Sequence, residues 1–432
     1  MFISYPANPA EIMSNLCKGG NRLAALVLYL LCGSLAFYPL LLKIVSPVIW
    51  LSFLSAFVII LVRLSSRGFR MPSTFLVRLW TVFFGIYITW FLIALLRGNK
   101  FDYIIQDSLG FNLYLGVMPV VYLLVVLNSL QAHFIRFIEG CSIAISGLSI
   151  LLVAGYFLVY GPVDGDSLIA VNVFVKSLGL RNTIDNNLGV LGLYTNIAHI
   201  LLLGMAVALY RYSQFHRVRD LLLIFLYFIG MACDGRRALL ICALLQLLIV
   251  ARSIFASMPQ RMRITLFLIS ITLCVLAVVL NLDWIENRFV FSEVDPSSAQ
   301  RYAQIPALLD KILENPLIGG GFGTAASYIR SADRPFSYEV DFLATFMKLG
   351  VIGAVIYFGS YLYGVSQALK IKNQLGLFLF SAGLSFFFYM GSNGNQAMST
   401  DSALFHVFLF IMISFSLQRT SPLHLSTLGI SA

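Results

Sequence analysis

Charged residues are scarce in this chain. Only 11% of its 432 residues are Asp, Glu, Lys or Arg, less than half the share of about 25% in ordinary soluble domains. Hydrophobic residues make up 59% of the sequence, and the mean hydropathy is +0.88. So little charge cannot keep so much apolar side chain in water, which excludes a soluble enzyme and indicates a polytopic membrane protein.

The chain also lacks paired cysteines and metal-binding motifs. Its six cysteines show no CxxC spacing and no pairing with histidine, which argues against a disulfide framework and a zinc site. The five histidines are scattered and form no HExxH motif, so the sequence predicts neither a metal nor another cofactor. The N-terminus lacks the basic start, short apolar stretch and cleavage site of a secretory leader, and we expect the first apolar block to stay as a membrane anchor.

Apolar blocks of about twenty residues, the length that spans a bilayer as a helix, recur along the chain. A window of this length predicts about twelve transmembrane helices. They lie at residues 23–42, 44–62, 76–96, 109–127, 134–160, 187–209, 219–233, 237–251, 264–281, 341–364, 375–391 and 402–417.

Basic residues support this count. They concentrate in loops that the count places on the cytoplasmic side, as the positive-inside rule requires. The members of this group are Arg63, Arg67, Arg70, Arg78, Arg211, Arg217, Arg219, Arg252, Arg261, Arg263, Lys370 and Lys372. The net charge of +10 is therefore read as a sign of topology rather than of nucleic-acid binding, and both termini are predicted to be cytoplasmic.

The predicted organisation has three parts. Residues 1–281 carry helices one to nine with short loops, residues 282–340 form one large extramembrane loop, and residues 341–432 carry helices ten to twelve and a cytoplasmic tail. The large loop is rich in Trp, Phe and Tyr, which argues against disorder. A long loop of this kind is usually functional.

A helix is predicted inside the large loop. Asp295 is a suitable N-cap and Pro296 a suitable first helical residue, and apolar residues follow at helical spacing over residues 305–313. Pro306 is expected to kink this helix or split it in two. Arg301 lies on the apolar face, which we expect to rest on the membrane surface or on the ends of the spans.

Two arginines, Arg236 and Arg237, lie side by side between two apolar blocks. A guanidinium group matches phosphate oxygens bidentately and stays charged, so the pair predicts a phosphate-binding fork. An ion pair with Asp234, or arginines resting among lipid headgroups, explains the same pattern.

A second candidate is the glycine-rich segment at residues 319–323, which has four glycines in five positions. Such a segment allows close backbone approach and is compatible with a phosphate cradle. It has neither the Lys-Ser/Thr of a P-loop nor the preceding strand of a dinucleotide fold. A tight loop that re-enters the helical bundle is an equally good interpretation.

The third candidate is a pair of carboxylates, Glu339 and Asp341, where the chain enters an apolar block. Carboxylates beside apolar residues are partly desolvated, which suits a general base. Being two residues apart, they point in different directions on a helix. The alternative is a helix N-terminus, where negative charge is favourable. Lys348, further along the same block, is expected to pair with a carboxylate or a lipid phosphate.

In chain order, these segments resemble motifs of the bacterial O-antigen polymerase/ligase family. Residues 301–323 (RYAQIPALL…NPLIGGGFG) resemble the family's outer-loop signature: an Arg, an Ala-Leu helix and Asn/His-Pro-Leu-x-Gly-x-Gly. Residues 235–240 resemble its Ser-Arg-Gly-Ala-Leu element, with Arg236 on the arginine. Residues 339–353 resemble its His-Asn-x-x-Leu…Gly-x-x-Gly element. The resemblance covers roughly residues 230–355, and the first half of the chain agrees with the family only in hydropathy.

The sequence departs from the family pattern at three positions. Glu339 stands where ligases of the family carry His, Val340 stands where they carry Asn, and Arg237 replaces a small residue. The absence of the histidine favours a repeat-unit polymerase over a ligase.

The resemblance implies an all-α, polytopic glycosyltransferase of the class that uses lipid-linked sugars. The implied reaction, on the periplasmic side of the bacterial inner membrane, moves a growing glycan from undecaprenyl pyrophosphate to a new carrier-linked repeat unit. A ligase that transfers glycan to lipid A core remains an alternative, and a lipid-linked oligosaccharide flippase is an alternative from another class. The implied partners are membrane lipid, a chain-length regulator and a flippase.

The resemblance also suggests roles for individual residues. Arg236, Arg237 and Arg301 would hold the pyrophosphate as its charge develops. Glu339 would be the base, with Asp341 as the second candidate. Aromatic platforms for sugar are expected at Tyr302, Phe322 and Tyr338, although an interfacial aromatic belt explains these residues equally well. With no metal-ligand set in the sequence, we expect metal-independent, inverting transfer.

Overall fold

The computed structural model describes residues 9–37, 42–67, 73–160, 184–187, 190–193, 198–234, 237–257, 296–332, 334–392 and 399–419. Most of them are helical. The helices are α1 (Pro9–Phe37), α2 (Leu42–Arg67), α3 (Thr74–Leu96), α4 (Phe101–Asp107), α5 (Leu109–Asn112), α6 (Met118–Leu127), α7 (Gln131–Tyr160), α8 (Ile200–Phe215), α9 (Val218–Cys233), α10 (Arg237–Ser257), α11 (Pro296–Glu314), α12 (Asp341–Ser366), α13 (Leu375–Ser392) and α14 (Thr400–Arg419).

Three short elements complete this set. A π-helix at Leu113–Val117 joins α5 to α6, and a 3₁₀ turn at Gln367–Lys370 follows α12. Strands β1 (Ile184–Asn187) and β2 (Val190–Leu193) form a small antiparallel hairpin, in which Ile184 pairs with Leu193.

Many of the helices have the length and composition of membrane spans. Within the described residues six stretches are long and apolar enough to cross a bilayer: Pro47–Ser65, Thr74–Leu96, Leu109–Leu127, Gln131–Tyr156, Ala238–Ala256 and Asp341–Lys370. Shorter apolar helices lie at Asn21–Ala36, Ile200–Phe215, Leu375–Gly391 and Ser402–Gln418. The prediction of a helical membrane protein is confirmed at this level.

Burial separates an inner set of helices from an outer set. Every residue from 402 to 416 in α14 and from 200 to 209 in α8 is buried, as expected of helices that are apolar on all sides. In α2, by contrast, Trp50, Leu51 and Leu54 are more than 60% exposed. Apolar side chains on the outside and a packed centre fit a bundle whose rim faces lipid.

One predicted span begins later than the sequence pattern indicates. In the described part of the apolar block at 187–209, residues 190–193 form β2 and the helix begins at Ile200. Gly192 interrupts the apolar block within β2, and glycine is a weak helix former. The predicted block at 264–281 lies outside the described residues.

Helix α12 folds back on itself at Gly350. This residue has φ +64° and ψ −178°, which no helix contains. The rings of Phe342 and Phe358 lie 4.9 Å apart, although sixteen residues of straight helix would separate them by about 24 Å. Residues 341–349 therefore form a first arm that packs beside the second arm, residues 351–366.

The helix predicted in the large loop is present as α11. It begins at Pro296 and ends at Glu314, and Asp295, its predicted N-cap, lies outside the described residues. Of the two expectations for Pro306, a kink or a split, the split is not found, since the helix is continuous through this residue. Buried Leu308 packs with Tyr338 and Met347, so α11 rests on the first arm of α12.

Candidate functional site

Two arginines converge on one carboxylate beside the start of α12. Arg301 Nε lies 3.1 Å from Glu339 Oε2, and Arg330 Nη2 lies 2.8 Å from Glu339 Oε1. We call these three residues the Glu339 cluster. The glutamate side chain is only 12% exposed, whereas those of Arg301 and Arg330 are 39% and 35% exposed. The cluster has an excess of one positive charge, and part of each arginine side chain is exposed.

The backbone of Glu339 is held by a side chain of α11. The N–H of Glu339 donates to Gln304 Oε1 at 2.7 Å, and Gln304 is fully buried on α11. Arg301 lies one helical turn before Gln304, so α11 supplies both the first arginine and the amide that fixes Glu339.

Tyr338, the residue before Glu339, fixes the part of the loop that leads to Arg330. Its hydroxyl accepts a hydrogen bond of 2.6 Å from the N–H of Ala326, four residues before Arg330. Burial raises the pKa of the Tyr338 phenol, the nearby charge of Asp107 raises it further, and the hydrogen bond opposes the shift. The phenol therefore stays protonated at neutral pH, and its hydrogen bond joins the residue before Glu339 to Ala326.

The glycine-rich segment closes the break in α12. The N–H groups of Gly320 and Gly321 donate to the carbonyls of Met347 and Lys348 at 3.0 and 2.9 Å. In return, two N–H groups of the second arm, Val351 and Ile352, donate to the carbonyls of Pro316 and Leu317 at 2.8 and 3.1 Å. A continuous helix would join 351 to 347 and 352 to 348, so the loop supplies new partners for the donors and acceptors of these two helical bonds.

Side chains of α3 and of the segment after it hold the same loop. Trp90 Nε1 donates to the carbonyl of Ile318 at 2.8 Å. Asn99 Nδ2 lies 2.9 Å from the carbonyl oxygens of both Gly320 and Phe322. A Cβ on Gly321, which has φ +82°, would lie 2.5 Å from the backbone of Ala94. The glycines thus allow the loop to pack tightly between helices.

These contacts favour one of the two interpretations of the glycines. The amides of Gly320 and Gly321 bond to α12, and the N–H of Gly323 donates to Asp107 Oδ2 at 2.8 Å. A phosphate cradle needs such amides free to face the ligand. The structure therefore favours a tight loop that re-enters the bundle.

A buried ion pair lies next to the glycine-rich segment. Lys348 Nζ lies 2.6 Å from Asp107 Oδ1, and both side chains are only 6% exposed. The ammonium group also lies 5.7 Å from the centre of the Phe336 ring. The expectation that Lys348 pairs with a carboxylate is met, but its partner is neither Glu339 nor Asp341.

The two sequence-predicted carboxylates have different surroundings. Glu339 is in the cluster, and Asp341 is the first residue of α12 and is buried. Negative charge at a helix N-terminus is favourable, which accounts for the position of Asp341. The structure therefore brings Arg301 and Glu339 into direct contact and turns Asp341 toward the protein interior.

The three predicted sugar platforms are not equivalent. Tyr302 is 63% exposed, while Phe322 and Tyr338 are fully buried. The Phe322 ring packs 5.4 Å from that of Phe111 and belongs to the aromatic core. Of the three rings, only Tyr302 presents a face to the surroundings in this structure.

Arg236 lies outside the described residues. Arg237 is the first residue of α10, and its side chain also lies outside the described part. The structure therefore leaves the predicted arginine fork without a described contact.

The start of α10 nevertheless lies at the same end of the bundle as the start of α12. Cys242, in the second turn of α10, lies against the backbone of Tyr389. Phe342, at the start of α12, packs directly on Gly391, two residues further along α13. Both helices thus begin near the C-terminal end of α13.

Three residues of the site were missed by the sequence patterns. They are Arg330, Gln304 and Asp107, which supply a guanidinium, an amide acceptor and a buried carboxylate. Asp107 contacts Lys348, 241 positions away, and Gln304 contacts Glu339, 35 positions away. Arg330 is closer in sequence to its partner Glu339 but lies in an irregular part of the loop. A signal did exist for Arg330, because it lies in the same aromatic-rich loop as Arg301.

Comparison with protein-family models returns no match, and neither does comparison with curated proteins.

Proposed function

We propose that this chain is an inner-membrane glycosyltransferase that polymerises lipid-linked oligosaccharide repeat units. The observation that carries the proposal is the Glu339 cluster, in which two partly exposed arginines flank one shielded carboxylate beside the start of α12. Guanidinium groups suit a diphosphate, and a carboxylate suits a hydroxyl that must lose a proton. The motif resemblance of residues 301–323 and 339–353 supports the same reaction.

The chemistry requires an activated donor. A hydroxyl oxygen of the acceptor sugar forms the new bond to the anomeric carbon of the donor glycan as the bond from that carbon to the diphosphate breaks. The electron pair leaves with undecaprenyl diphosphate, where Arg301 stabilises the developing charge. The hydroxyl proton goes to the carboxylate of Glu339. Because the leaving diphosphate supplies the driving force, the reaction uses no nucleotide.

The topology proposed for this function has twelve spans with both termini in the cytoplasm and residues 282–340 in the periplasm. The basic loops support it. The shared bundle end of α10 and α12 also supports it, because Arg236 and Arg237 would then lie on the same side of the membrane as Glu339.

The competing flippase hypothesis has one structural argument in its favour. Broken helices near an intramembrane ion pair are typical of transporters, and α12 breaks two residues after Lys348. However, the break is closed by the backbone of the glycine-rich segment, so its helix ends do not face a substrate. The described structure thus favours group transfer.

The test is the glycan profile of a null strain that carries wild-type or variant protein. Arg301→Gln should abolish long glycan while the protein stays in the membrane, since one charge-assisted contact is worth about 1.5–3 kcal/mol, or roughly ten- to a hundredfold in rate. Lys311→Gln is the matched control, because Lys311 lies on the same helix and pairs with Glu314 away from the cluster. It should leave the profile unchanged.

The outcomes separate the hypotheses. Single-repeat caps on lipid A core in the null strain support a polymerase. Uncapped core with carrier-linked polymer would assign a ligase instead. Normal long glycan in Arg301→Gln would refute the phosphate role of this arginine.

A further inference from the structure

The Glu339 cluster has the form of an anion site whose ligand position is filled by the protein's own carboxylate. Each oxygen of Glu339 contacts a different arginine, Arg301 on one side and Arg330 on the other. Two bridged guanidinium groups with one acid between them match the arrangement expected around a diphosphate, in which several oxygens face several N–H donors.

Contacts among the described residues use only some of the N–H donors of the cluster. A guanidinium group has five N–H donors, and these contacts engage one nitrogen of Arg301 and one of Arg330. Both arginine side chains remain more than one-third exposed. A diphosphate carries more charge than a carboxylate and accepts bidentate contacts from each arginine, so it would outcompete the single acid.

The carboxylate can leave without disturbing the fold around it. Its backbone is held by the buried amide of Gln304 through the Glu339 N–H, and the neighbouring Tyr338 is fixed by Ala326. These bonds do not involve the carboxylate. Rotation of the Glu339 side chain therefore changes its partners while the backbone of the site stays in place.

We propose that Arg330 is part of the diphosphate-binding site and that Glu339 is a place-holder that the diphosphate displaces. This inference rests on the proposed function and specifies how its site is regulated. In the ligand-free protein both oxygens of Glu339 are engaged and the side chain is shielded, so an acceptor hydroxyl has little access to it. Arrival of the donor diphosphate releases the carboxylate and makes it available as the base. A carrier-linked donor thus switches on its own reaction.

The test is binding of undecaprenyl diphosphate to the purified full-length protein in nanodiscs, followed by native mass spectrometry. Glu339→Gln should bind the probe about tenfold more tightly than wild type, because a competing anion is removed, yet should make no long glycan. Arg330→Gln should bind it about tenfold more weakly. Lys311→Gln should bind it as wild type does.

Two further measurements keep the test decisive. Arg330→Lys keeps the charge but loses the planar fork, and its affinity should fall between those of wild type and Arg330→Gln. Thermal unfolding of each variant identifies any that misfold. The proposal is overturned if Glu339→Gln binds the probe equally or more weakly while folded, or if folded Arg330→Gln keeps wild-type affinity.

Other probes distinguish the source of the phosphate. Inorganic pyrophosphate should compete with the lipid probe, whereas phosphatidylglycerol in excess should not. Equal competition by phosphatidylglycerol would assign the cluster to bulk lipid headgroups and overturn the proposal. Failure of the proposed function has a different signature: the binding pattern would hold while the null strain shows normal surface glycan.

Discussion

Lys348 and Asp107 carry opposite charges in a part of the protein where each is almost fully shielded from water. Removal of one partner leaves a buried charge without compensation, which costs about 3–5 kcal/mol. Asp107 has a second task, because its other oxygen accepts the N–H of Gly323. The pair thus connects α12 to the glycine-rich segment through a single carboxylate.

A double-mutant cycle measures this coupling. Lys348→Met and Asp107→Asn should each lower the free energy of unfolding by about 3 kcal/mol or more, and the double variant should lose less than the sum of the two. Asn keeps an oxygen for the Gly323 amide. Unfolding in detergent micelles is the measurement. Lys311 is partly exposed and pairs with Glu314, and Lys311→Met is expected to change the free energy of unfolding by at most about 1 kcal/mol. Strict additivity would contradict direct pairing.

Sequence patterns identified some residues of the site but not their partners. The apolar spacing in α11 placed Arg301 on the packed face, and the chain's return to an apolar block marked Glu339. Arg330 follows no local period, and Gln304 shares the packed face of α11 without being apolar. Their contacts with Glu339 depend on the fold of the loop, which the spacing of residues along one helix does not encode.

At the scale of elements, the break in α12 is the feature that the sequence pattern does not predict. Residues 341–364 form one apolar block, and an apolar run of that length predicts a single span. Gly350 alone does not reveal a break, because isolated glycines are tolerated in helices. The position of the break depends on a partner loop that supplies matching donors and acceptors, and no pattern within α12 shows that partner.

Replacement of Gly350 tests the break. Gly350→Ala should destabilise the protein by at least about 2 kcal/mol, because φ +64° is unfavourable for alanine and the added Cβ would lie 2.3 Å from the Leu317 carbonyl oxygen. Gly359→Ala is the matched control on the same helix, where a Cβ would meet nothing within 4 Å. It should be neutral or stabilising by up to about 1 kcal/mol.

The midpoint of thermal unfolding distinguishes the two alanine variants. Equal midpoints for Gly350→Ala and wild type would show that the chain does not fold back there. A large loss in Gly359→Ala would show that alanine substitution in this helix is harmful for another reason.

At the scale of the whole molecule, composition and block length predicted the architecture best. Low charge and long apolar runs led directly to a helical membrane protein, and most helices coincide with a predicted block. The late start of α8 is the exception, since its block mixes apolar residues with glycine and polar side chains. The twelve-span topology remains a prediction that labelling can test.

Single cysteines in a cysteine-free background report the sidedness of the loop. Ala332→Cys, at an exposed position in the large loop, should react with a membrane-impermeant maleimide added to intact spheroplasts. Lys372→Cys, exposed between α12 and α13, should react only after the membrane is opened. Labelling of Lys372→Cys from outside, or protection of Ala332→Cys, would reverse the proposed topology and place the Glu339 cluster in the cytoplasm.

The exchange of hydrogen bonds at Gly350 also sets an order of events during biosynthesis. The ribosome makes residues 316–321 before residues 347–352, so the loop emerges without the carbonyls and amides that it will bind. Unbonded backbone is costly inside a bilayer, so in the proposed topology we expect the loop to dock only after α12 has been translated. Membrane insertion of α12 and docking of the loop would then be coupled.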